Sequence, residues 1–151
     1  MTLEDTLQND LKQAMLARDE QTVSVLRMLK STLLYAKVAK GGRDQVMDDA
    51  SVQDILAKEA KKRQESADLF ERGGNSEKAA IERAEKAIIE RYLPKQLSEA
   101  EIVALIDQVI GELGASDASQ MGQVIGRVKQ MAGASADGAL VAKLVKERLS
   151  Q

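Results

Sequence analysis

Behind Thr2, the residues Leu3, Leu7, Leu11, Ala14 and Met15 return at three- and four-residue steps. That spacing places side chains on one face of an α-helix. Thr2 suits the helix start as a cap, and Asp5 stands in the first turn, where a carboxylate meets unpaired amides. The pattern predicts a helix that ends near Arg18. Val23, Leu26, Leu29, Leu33 and Ala36 repeat it in a second helix, stopped by Gly41 and Gly42. A third periodic stretch, Val52, Ile55, Leu56, Ala60, Ala67 and Phe70, begins at Ser51 and closes at Gly73 and Gly74, so its helix is expected over residues 51–72. A fourth carries Ala80, Ile81, Ala84, Ile88 and Tyr92 on one side, with Glu82, Arg83, Glu85, Lys86 and Glu90 around the other.

The only proline, Pro94, pushes Leu93 away from helical geometry and marks a linker over residues 93–97. Beyond it, Ser98 and Glu101 form a capping box ahead of the stripe Ile102, Leu105, Ile106, Val109 and Leu113, which runs to Gly114. Two shorter helices follow. One spans Ser119 to Met131 with Met121, Val124, Ile125 and Val128; the other spans Asp137 to Leu149 with Leu140, Val141, Leu144, Val145 and Leu149. Residues 133–138 form the turn between them. No strand-like alternation persists, so the expected fold is all-α: a four-helix N-terminal domain over residues 1–94 joined to a small three-helix C-terminal domain over residues 95–151.

Composition narrows the chemistry more than the fold. With one Phe, two Tyr and no Trp, the core has to be built from aliphatic residues and Met. The absence of Cys and His removes disulfides, Cys/His metal sites and thiol chemistry, together with the side chain that titrates nearest neutrality. No metal or other cofactor is expected. Charges interrupt every apolar stretch well short of the ~20 residues a membrane span needs, and the start lacks a basic and apolar leader. The chain is therefore read as cytoplasmic, with no membrane partner. Net charge is −2, and cations and carboxylates nearly balance on both sides of Pro94, so any nucleic-acid contact has to be a local, salt-sensitive patch.

Two such patches stand out. Lys58, Lys61 and Lys62, followed by Arg63, share helical offsets on the third helix and present either a phosphate-binding face or a solvated surface dressed by Glu59, Glu65 and Asp68. Near the C-terminus, Arg127, Lys129, Lys143, Lys146 and Arg148 face only Asp137 and Glu147; phosphate contact and the cation preference of helix C-termini both account for them. Gly122 and Gly126, four residues apart, open one side of the sixth helix to a neighbouring helix or to a ligand. Asp48 and Asp49 fit a polar loop or a helix start. No serine has a partner that makes it a nucleophile, and no nucleotide-binding glycine loop is present, so catalysis by the chain alone is not expected.

Six segments in order carry a resemblance: residues 25–31 (VLRMLKS), 61–66 (KKRQES), 70–73 (FERG), 92–97 (YLPKQL), 121–126 (MGQVIG) and 136–141 (ADGALV). With these segments the chain resembles the GatB/YqeY family, in particular its stand-alone YqeY-like members, over essentially its whole length. The resemblance implies an all-helical protein whose residues 95–151 are similar to the tail of the B subunit of glutamine-dependent tRNA amidotransferases. In those enzymes the tail helps to hold tRNA. The chain lacks the kinase-like cradle of that subunit and has no room for the amidase, so the carbon–nitrogen ligase activity of the complexes is not expected of it alone. The resemblance implies an accessory role in translation, with tRNA as partner and Lys58, Lys61, Lys62, Arg63, Arg127, Lys129, Lys143 and Lys146 as backbone contacts. The other reading it leaves open is a module that docks on an amidotransferase or an aminoacyl-tRNA synthetase without touching RNA.

Overall fold

The structure is a computed structural model and describes residues 1–150. Its helices are α1 (Leu3–Leu16), α2 (Glu20–Lys40), α3 (Asp49–Arg72), α4 (Ser76–Glu90), α5 (Glu99–Leu113), α6 (Met121–Ala132) and α7 (Gly138–Leu149), with short 3-10 turns at Ala118–Gln120 and Gly133–Ser135. No strand occurs among the described residues, so the protein is all-α. It divides into two compact units, Met1–Leu93 and Pro94 onward.

Side-chain oxygens satisfy the exposed amides at most helix starts. Thr2 and Asp5 form a reciprocal capping box on α1, and Ser98 and Glu101 form another on α5. The start of α3 differs from the sequence expectation: Asp48, not Ser51, is the cap, and its carboxylate accepts a hydrogen bond from the Ser51 amide at 2.8 Å. Aspartate caps as well as serine, and here it begins the helix two residues early. Asp49 then faces α1, accepting from the Leu3 amide at 2.9 Å. At the other end of α5, Gly114 takes the left-handed conformation (φ 64°) in which a side chain is strained.

In the first unit, α1 and α2 run antiparallel, because Glu4 pairs with Lys37 while Gln8, further along α1, accepts from Lys30 earlier on α2. Leu7, Leu26, Leu29, Leu56 and Ile89 form the deepest part of the aliphatic core. On α4 the buried stripe is Ala79, Ile88 and Ile89, whereas Ile81, expected on the inner side, is 53% exposed. Beyond α4, the buried Tyr92 ring packs on this core and its hydroxyl donates to Asp10 of α1 at 2.6 Å. Burial, then the neighbouring carboxylate, pushes the phenol well above its ordinary pKa.

In the second unit, Ile102, Ile106 and Val109 of α5 pack with Val124 and Val128 of α6 and with Val141 and Val145 of α7. Main-chain contact closes the entry: the Leu97 amide donates to the Ser135 carbonyl at 2.8 Å, and Gln96 Nε2 donates to the Ala134 carbonyl at 2.8 Å. The Arg148 guanidinium grips Asp107 through two bonds, of 2.6 and 2.7 Å, and ties α7 to α5. That contact holds the Asp107 carboxyl below its usual range.

Candidate nucleic-acid interface

The two patches expected from the sequence are sorted by what each side chain already touches. On α3, Lys58, Lys61 and Lys62 are exposed and share a face, since steps of three and four residues turn a helix close to a full revolution. Lys62 reaches back to Glu59 at 3.1 Å. Arg63 lies off that face and is half-buried: its Nε is 2.8 Å from Glu85 and 3.8 Å from Glu82, and its Nη1 is 3.7 Å from Glu59. With three carboxylates around it, Arg63 joins α3 to α4, and its charge is met inside the fold. Lys58, Lys61 and Lys62 lie on the solvent side of the helix.

The C-terminal patch keeps its expected residues at the surface. Arg127, Lys129, Lys143 and Lys146 are all exposed. Lys143 and Lys146 are three residues apart on one face of α7, and neither has an ion-pair partner among the described residues. Arg127 touches only the neutral Gln130, at 3.2 Å. Two residues on a helix turn about 200°, so Arg127 and Lys129 flank α6 on opposite sides. Lys129 leans along the start of α7, where a β-carbon on Gly138 would stand 3.1 Å from its Cε. In the same unit, Glu101 and Asp117 are engaged in capping and Asp107 is held by Arg148. Glu99 and Glu147 remain exposed, as the lysines do.

Two glycines lie on one side of α6. Gly122 and Gly126 are exposed, and a β-carbon at either position would meet nothing within 4 Å. No neighbouring helix accounts for them. Glycine costs a helix interior about 1 kcal/mol relative to alanine, and nothing among the described residues packs on these two to offset it. The open backbone lies on the same side of α6 as Lys129.

Sequence reasoning missed a further basic element. From Gln21 to Arg43 the chain has no carboxylate, while Arg27, Lys30, Lys37, Lys40 and Arg43 accumulate. The signal was legible as an acid-free run of 23 residues between Glu20 and Asp44.

Fold and surface together define a two-unit helical protein with basic faces. The family described as Yqey-like protein matches residues 4–149, and the chain belongs to that family. Among curated proteins, it is similar to Altered inheritance of mitochondria protein 41, mitochondrial, of Lachancea thermotolerans, with 31% identity over 115 residues, 75% of this chain and 60% of that protein. The protein of the same name in Eremothecium gossypii is 33% identical over 110 residues, 71% of this chain and 58% of its own length. In Saccharomyces cerevisiae the identity is 27% over 127 residues, 84% of this chain and 66% of the relative. The chain thus spans about 60% of the first two relatives. Their names overturn the cytoplasmic reading: relatives aligned over most of this chain are mitochondrial proteins, and packed helical units of this kind carry nothing that ties them to one compartment.

Proposed function

We propose that the chain is an accessory tRNA-binding module, related to the tRNA-holding tail of glutamine-dependent amidotransferases, and that its C-terminal unit makes the main contact. The observation that carries this reading is the bare side of α6. Gly122 and Gly126 leave the helix backbone open on the side of α6 that carries Lys129, and Arg127, Lys143 and Lys146 stand exposed elsewhere in the same unit. A sugar–phosphate backbone can approach such a helix closely while ammonium groups meet its charge. Lys58, Lys61 and Lys62 supply a second, weaker set of backbone contacts. The contacts are to backbone rather than bases, since Tyr35 is the only strongly exposed aromatic ring among the described residues and one ring makes no stacking platform.

Two measurements test this. Binding of bulk tRNA by the whole chain, followed across salt, is expected to weaken roughly tenfold on Lys143→Gln with Lys146→Gln, and the log–log salt slope to flatten by about two. An unchanged slope removes α7 from the interface. Gly122→Ala and Gly126→Ala are expected to stabilise the protein by about 1 kcal/mol each in urea unfolding, because the added methyl meets no neighbour. The same substitutions are expected to weaken tRNA binding. If stability rises and affinity holds, the open side of α6 is not where RNA lies.

A further inference from the structure

A groove of about 740 Å³ runs along the seam of α1 and α2. Its floor is leucine, from Leu7 and Leu11 on α1 and Leu33 and Leu34 on α2, and cations stand along it. Lys37 is neutralised by Glu4 at 2.5 Å, but Lys30 faces only the neutral Gln8. Arg27 and Arg43 are exposed and have no carboxylate partner among the described residues. The unpaired charge therefore sits toward the two ends, with Arg27 and Lys30 at one and Arg43, just past α2, at the other. At 1.5 Å per residue, Arg27 and the end of α2 are about 20 Å apart.

Beside the groove, α2 carries a second stripe that points outward. Arg27, Ser31, Leu34, Tyr35 and Val38 follow steps of four, three, one and three, the spacing by which one helix meets another. Leu34 is half-buried in the groove wall, whereas Tyr35 is 78% exposed and Val38 57%. An inner stripe at the same spacing, Val25, Leu26, Leu29 and Leu33, already serves the core. The outer one serves nothing within the described residues.

We infer that this face of α2 is a docking site for an amphipathic helix of a partner protein, about 14 residues long, apolar along its middle and acidic at both ends. The charge pattern selects this occupant over a polyanion. Glu4 and Asp5 line the groove toward its Arg43 end, at the level of Lys37, and a phosphate chain laid along it to Arg43 would run past both. A peptide places each charge separately and can set carboxylates against Arg27, Lys30 and Arg43 while apolar side chains cover Leu34, Tyr35 and Val38. This is helix-in-groove recognition with charges at the rim that fix direction and partner. It uses residues outside the proposed RNA contact and stands or falls independently of it.

The test uses the full chain and two fluorescein-labelled 14-residue helical peptides with the same leucine and alanine middle, one with glutamates at both ends and one with lysines there. Fluorescence anisotropy is expected to show the glutamate peptide binding at least about tenfold tighter, and Arg27→Glu with Arg43→Glu to reverse the preference. Tyr35→Ala is expected to weaken the glutamate peptide several-fold, and Lys143→Gln with Lys146→Gln to leave it unchanged. Neither arginine is paired, so the charge reversal is expected to keep the helix content measured by circular dichroism. Absence of binding, equal binding of the two peptides, or a preference that survives charge reversal overturns the inference. So does displacement of the peptide by tRNA together with loss of tRNA binding in the Arg27→Glu, Arg43→Glu chain, because the groove is then a polyanion site.

Discussion

Leu26→Ala is expected to remove about 2–5 kcal/mol of unfolding free energy, a large share of the 5–15 kcal/mol typical of a domain. Leu26 is fully buried in the centre of the first unit, in one cluster with Leu7, Leu29, Leu56 and Ile89. Truncation gives up the transfer free energy of the lost methyl and methylene groups and leaves a cavity that rigid neighbouring helices only partly fill. Urea unfolding followed by helical circular dichroism checks it: the midpoint falls and the slope stays, as for a change in stability without a change in surface exposed. Tyr35→Ala on the outer side of the same helix is the control, expected within about 0.5 kcal/mol of the parent. A Leu26→Ala loss below that of the control contradicts the core described above.

The second large effect is expected at Arg63. Arg63→Ala leaves Glu59, Glu82 and Glu85 clustered at the α3–α4 seam, with Glu59 only 6% exposed and Lys62 its one remaining cation among the described residues. Removing the shared cation of this partly buried cluster is expected to cost about 2–3 kcal/mol, below the full cost for a buried pair. Glu59 keeps its desolvation and loses its compensation, while Glu82 and Glu85 are partly screened by solvent. Arg63→Lys recovers little, since a single ammonium cannot reach carboxylates on two helices as the guanidinium fork does. Arg63→Met combined with Glu59→Leu is expected to recover most of the loss by replacing charge with packing. A cost for Arg63→Ala below about 1 kcal/mol, the range of an exposed pair, would mean that solvent already screens this cluster. At Asp107 and Arg148, where both side chains are more than two-fifths exposed, only a small effect is expected.

These two positions also show how far sequence patterns reach. Leu26 sits in an apolar stripe that repeats at helical spacing, and its burial was legible from that spacing alone. Arg63 reads, by offset, like Lys58, Lys61 and Lys62: another cation in a basic run. Its role depends on Glu82 and Glu85, 19 and 22 residues further on, and on α4 folding back beside α3. The same limit applied to Gly122 and Gly126, where helical spacing identified an open face but not whether anything packed on it. At α2 the opposite occurred: the acid-free run was visible, and only the groove along the α1–α2 seam gave it a place.

Helices, caps and stops were written in the amino-acid order, because they depend on residues within about four positions of one another. Thr2 with Asp5, Ser98 with Glu101 and the left-handed Gly114 are such local arrangements. Family membership was legible in the same way, from short segments in fixed order. Which charges are spent inside the fold and which face solvent came only from packing. Those outcomes rest on partners far apart in the chain, Glu4 with Lys37, Asp10 with Tyr92 and Asp107 with Arg148. No local pattern encodes such pairings, since each forms only when a shared apolar core brings two helices side by side.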